Sequence, residues 1–246
     1  MHLVRIVEQQ LRSIDLPSIV RPPIGPNAPA TEELVRWAII FHVYSEIAHI
    51  RTVLAGFITL ADAGNTPSAS ILARHLFEWT AMTCYLVEKL EELVANKQWQ
   101  PAFEIMLQVD TGNSWVKTHG RNYDKTSSFP DDVAKPIRIK HLIAAYTRHH
   151  TARYGSAKVE DSYGYLSEYS HPNSACLLAY REFDGARAFF VHPGPKSAVF
   201  GGINGFIVEW LMFAQELLGF AGESTIRDRL IRTLPLIVEA ERSTKK

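Results

Sequence analysis

A chain of 246 residues, 46% apolar and 21% charged, has the composition of a folded soluble domain rather than a disordered or fibrous one. Lys+Arg and Asp+Glu balance at 26 each, so no net field draws the chain to nucleic acid or an acidic membrane; only a local basic patch could do so. Two cysteines, Cys84 and Cys176, lie in apolar surroundings, cannot build a disulfide framework, and read as buried thiols of a reducing cytoplasm.

Residues 3–14 place Leu3, Ile6, Val7, Leu11 and Ile14 on one helical stripe. Charge enters the first eight residues too early and too often for a signal peptide. Five prolines from Pro17 to Pro29 forbid regular helix and predict an extended connector. Residues 1–30 thus read as a helix and connector ahead of one helical domain, 31–246.

Thr31 is placed to cap a long helix reaching Ala63, with Glu32 and Glu33 in its first turn. Its expected buried stripe includes Leu34, Trp37, Ile40, Phe41, Tyr44, Ile47, Leu54, Phe57, Ile58 and Ala61. Gly64-Asn-Thr66-Pro67 reads as a stop and a restart, Thr66 capping a second helix with Pro67 at its first position. That helix runs to about Asn96, antiparallel to the first, and is apolar nearly all round from Ile71 to Val87, which predicts central burial. A shorter helix follows at 99–109. Asp110 to Pro136 is polar and aperiodic, a long loop or lid. Helices are then expected from Pro136 to about Tyr154 and from Val159 to the Ser170-His171-Pro172 element.

Around 178–192 the pattern changes: Tyr180-Arg-Glu-Phe, Asp184-Gly185 and Arg187-Ala-Phe-Phe-Val191 predict a hairpin with a type I′ turn. Ala198 to Ala221 is strongly apolar but holds Asn204, Glu209, Gln215 and Glu216, so it reads as a buried bundle helix and not a membrane span. Helices at about 200–219 and 224–242 close the chain, the last bent at Pro235. The fold class is mainly α: a bundle of long antiparallel helices with one small β-hairpin.

Polar chemistry concentrates in two places. Arg74 and Glu78 lie one turn apart in an apolar helix, where neither can be buried without a partner. They read as an ion pair between helices, or as a pocket where the arginine fork holds an anion and Glu78 is a ligand or base. Tyr163 to Asn173 gathers three tyrosines, two serines, Glu168 and His171 just before Pro172, which forces His171 out of helical geometry. Tyr165, Ser167, Ser170 and His171 are therefore candidate ligand-binding residues with Arg74 and Glu78. His171 and Glu78 are the candidate catalytic pair. A divalent-metal alternative uses Glu46/His49 and Glu168/His171, two helical Glu-x-x-His pairs of the kind found in di-metal bundles, completed by Glu78 and Glu209. No nucleophile elbow, phosphate loop or activated thiol is present. Arg138, Lys140, His141, Arg148, His149, His150 and Arg153 form a basic cluster that reads as one solvated helix face.

At Arg74-x-x-x-Glu78 with Ser167-x-x-Ser-His171-Pro172, the chain resembles a broad family of helical microbial proteins known only as a domain of unknown function. The resemblance covers about residues 35–220 and implies an α-helical bundle with Arg74, Glu78, Ser167 and His171 at its centre. There is a fainter similarity to helical nuclease and nucleotide-binding domains of toxin and phage-defence systems. Their arginine ahead of the histidine is missing here, where Gly164, Tyr165 and Leu166 stand. Three functions follow: binding of a small ligand or protein partner at the Arg74–His171 centre, with a stress or defence role implied by the resemblance alone; a metal-dependent or nuclease-type enzyme using Glu78 and His171; or a structural protein forming a homodimer.

Overall fold

The computed structural model describes residues 1–23, 28–119, 137–155, 159–170, 181–184, 187–190 and 197–244. Eight helices are found among them: α1 (His2–Ser13), α2 (Glu32–Asp62), α3 (Thr66–Ala95), α4 (Trp99–His119), α5 (Ile139–Tyr154), α6 (Val159–Ser170), α7 (Ser197–Phe220) and α8 (Thr225–Thr244). The protein is mainly helical. The expected hairpin is not carried as part of this fold. Its turn and both flanks lie outside the described residues, and the four-residue segments Arg181–Asp184 and Arg187–Phe190 are paired only with each other.

The cap chemistry sets the first long hairpin. Thr31 Oγ1 accepts from the Leu34 amide at 3.2 Å and starts α2, as its position in the sequence demands. The restart differs by one residue from expectation. Asn65, not Thr66, caps α3, its Oδ1 accepting from the Ser68 amide at 3.2 Å. Asn accepts as well as threonine does, and Thr66 is drawn into the first turn, where it is 1% exposed. Gly64, at φ 71°, supplies the left-handed residue that the reversal needs. The partners of α2 on α3 run in opposite order, Gly56 against Leu72, His49 against His75, Glu46 against Thr83, so the two helices are antiparallel.

Helix α3 is the axis of the bundle and packs against α2, α4, α5, α6 and α7. Ala73, Leu76, Phe77, Ala81, Cys84, Leu86 and Leu90 carry that burial. Helices α1, α7 and α8 close the core around α2, with Leu3, Val4, Val7 and Leu11 of α1 buried. On α2 the buried set is broader than a single stripe: Ala38, Ile39, Val43, Ile50 and Val53 join it. Phe41 instead is 46% exposed, stacked on Trp37 with centroids 5.3 Å apart. A helix packed by neighbours on several sides is not described by one stripe.

The loop expected from Asp110 is helical over its first residues. Helix α4 continues through Asp110 to His119, because extending a formed helix costs far less than starting one, even through Thr111-Gly-Asn-Ser114. Residues 120–136 of that loop lie outside the described residues, and α5 starts at Ile139 rather than Pro136. Gly155, at φ 68°, ends α5 in the left-handed conformation. Pro235 lies inside α8. No described helix is long and apolar enough to cross a membrane.

Asn65→Ala removes the acceptor that starts α3 and is expected to lower unfolding free energy by about 1 kcal/mol in urea titration. An unchanged midpoint would exclude Asn65 as the cap.

Candidate functional site

Glu46 and Glu209 lie inside the bundle, and Glu8 of α1 is buried as well. Glu46 of α2 is 0% exposed, and removing a carboxylate from water is costly unless protein donors replace it. The Thr83 hydroxyl of α3 donates to Oε1 at 2.8 Å, and the Trp210 indole N–H of α7 donates to Oε2 at 3.1 Å. His42 Nε2, one turn earlier on α2, lies 3.2 Å from Oε1. Three helices are tied at one side chain. Beside it the Thr80 hydroxyl lies 3.1 Å from the Phe206 carbonyl of α7.

Glu209 of α7 is 5% exposed and accepts from the Tyr146 hydroxyl of α5, with His150 Nε2 at 3.9 Å from its other oxygen. Burial first, then the Glu209 charge, raises the Tyr146 phenol, which therefore stays protonated as a donor. Tyr154 is raised for the same two reasons. Burial likewise raises the Cys84 thiol, which opposes a nucleophilic role.

The second polar set faces partly outward from α3. Arg74 and Glu78 have side-chain exposures of 22% and 30% and join at 2.9 Å between Nε and Oε1. Arg74 also donates to the Tyr163 hydroxyl of α6 at 2.9 Å and lies over that ring, 5.1 Å from its centroid. Burial pulls the guanidinium pKa down, but Glu78 and Tyr163 more than offset this, so it is raised. The next residue extends the face. His75 Nε2 lies 2.7 Å from Nε2 of the exposed His49 on α2, and the Trp79 indole N–H donates to the same atom at 3.0 Å. Indole nitrogen only donates, so His75 Nε2 is the unprotonated acceptor and His49 the donor. Burial and His49 both lower the His75 pKa, against the pull of Glu78.

The candidate residues fall into groups. Arg74 and Glu78 are brought together, with α6 beside them. On α6 the contact is made by Tyr163, while Tyr165 is 38% exposed and the Ser167 hydroxyl is buried. Ser170 ends α6, but its side chain and that of Glu168 lie outside the described residues, as does His171. The metal candidates do not converge among the described side chains: Glu46 is held by Thr83 and Trp210, Glu209 by Tyr146, Glu78 by Arg74, and His49 meets His75. No described group of three or more His, Cys, Asp or Glu side chains is arranged around a metal position. Helix α5 does not present its cluster as bare charge, since Arg148 binds both oxygens of Glu88 at 2.8 Å. An open groove of about 500 Å³, lined by Ile19, Val20, Pro22, Trp37 and Ile40, shares no residue with the polar face.

Sequence reasoning missed His75, Trp79, Thr83 and Trp210. Trp79 lies one turn after His75, a spacing that was available; Thr83 and Trp210 reach Glu46 across 37 and 164 residues. No family model, no curated protein and no solved structure matches this chain.

Trp210→Phe keeps the packing but leaves Glu46 without one donor, and is expected to cost about 1–3 kcal/mol in denaturant. His75 titrates below its unfolded value of 6.5. The unfolded chain therefore takes up the proton first as pH falls below that value, and stability declines with falling pH through the folded pKa. His75→Gln should flatten this part of the stability–pH profile; an unaltered slope would show that His75 is not a source of it.

Proposed function

We propose that this chain is a helical-bundle binding protein whose recognition centre is the partly exposed face of α3 around Arg74 and Glu78, flanked by α6. The ligand is a small anionic molecule or an acidic group of a partner. One observation carries this reading: in a helix that packs against five others, a guanidinium and a carboxylate are kept at 22% and 30% exposure rather than sealed inside. A pair serving register alone could be replaced by apolar packing at little cost, and often with gain. Glu78 and Tyr163 hold the arginine by Nε and one terminal nitrogen, which fixes the plane of its fork. Ser167, one turn after Tyr163 on α6, is assigned to the same centre.

Arg74→Lys keeps the charge and loses the fork. Thermal-shift and calorimetric titration against phosphate, nucleoside phosphates and dicarboxylates is expected to find a ligand of the wild-type chain that binds Arg74→Lys and Glu78→Gln at least tenfold more weakly. A ligand bound equally by all three proteins would place recognition elsewhere.

A further inference from the structure

We propose that His49 and His75 form a surface site for a divalent transition-metal ion of tetragonal or octahedral preference, Cu2+ or Ni2+. Two imidazoles from neighbouring antiparallel helices present the same ring nitrogen, Nε2, to each other at 2.7 Å. Metal–imidazole bonds are about 2.0–2.1 Å, so an ion bound to both nitrogens at this spacing subtends about 80°, close to the cis angle of a square or octahedron. A tetrahedral ion would need the nitrogens roughly 3.3 Å apart.

The chemistry of the pair favours the exchange. Imidazole ligates in its neutral form, and His75 already presents an unprotonated Nε2, since Trp79 donates to it at 3.0 Å. His49 becomes a ligand by moving its proton from Nε2 to Nδ1, so two neutral imidazoles are used and no proton is released. The cost is the Trp79 and His49 hydrogen bonds to the His75 nitrogen, two donors that share one lone pair. His49 is exposed, so the ion reaches the pair from solvent without opening the bundle. Glu78, one turn after His75 and acting on it electrostatically, supplies negative charge at the edge of the site. Water fills the remaining positions. The site shares none of its ligands with the buried Glu46 or Glu209 carboxylates, and differs from the Glu-x-x-His sets expected in sequence.

The test is equilibrium dialysis of the untagged chain against CuCl2 and NiCl2, with His49→Ala, His75→Ala and, as a control, the exposed His141→Ala of α5 measured in parallel and folding checked by circular dichroism. The expected result is one ion per wild-type chain, affinity lowered at least tenfold in His49→Ala and His75→Ala, and no change in His141→Ala. Electron paramagnetic resonance of the Cu2+ complex should show coupling to two imidazole nitrogens in the wild type. If His75→Ala fails to fold, the exposed His49→Ala decides alone. Absence of stoichiometric binding, or binding undiminished in either folded histidine variant, would overturn the site.

Discussion

A carboxylate without water must be bonded by protein, and in this bundle that requirement falls on Glu46. Its two oxygens meet a hydroxyl of α3 and an indole of α7, with a histidine of its own helix alongside. The arrangement fixes the rotation of three long helices about one another, because a small twist of any of them would take a donor away from a fully buried carboxyl group. Apolar packing alone is tolerant of such shifts; directional bonds are not. Glu209 and Tyr146 repeat the device between α7 and α5.

With α3 fixed in this way, its remaining surface is set. On that surface Arg74, His75, Glu78 and Trp79 form a partly exposed band that meets α6 at Tyr163 and α2 at His49. The guanidinium is braced by a carboxylate and a phenol, and the imidazole is held neutral by burial and by two converging donors. Such bracing lowers the entropy lost when a ligand is held. The band joins a braced guanidinium to a pair of facing imidazole nitrogens within one helical turn.

Much of this frame was legible from local signals. Thr31, Gly64 and the proline-rich connector gave the long hairpin because caps and left-handed glycines act within a few residues. The Arg74–Glu78 pair was legible for a related reason: a charged couple one turn apart in an apolar run has few alternatives. The Glu46/His49 spacing puts both on one flank of α2 but does not say which neighbouring helix each side chain meets. Here α2 is packed on several sides, so Glu46 turns to Trp210 and His49 to His75. Tyr163 rather than Tyr165 faces Arg74 because Leu166, three residues on from Tyr163, is the buried position that sets the phase of α6. Contacts between distant residues, above all Trp210 with Glu46, leave no local trace.

The central claim is that the polar residues of α2 and α3 divide into an anchor that holds the bundle and a band that recognises something outside it. Equilibrium unfolding of Glu46→Ala beside Glu78→Ala separates the two most directly. Glu46→Ala is expected to lose roughly 2–5 kcal/mol, from the cavity and the stranded donors. Glu78→Ala, at a partly exposed pair, should lose no more than about 1 kcal/mol. Equal and large losses at both positions would contradict the division and make Arg74–Glu78 part of the scaffold.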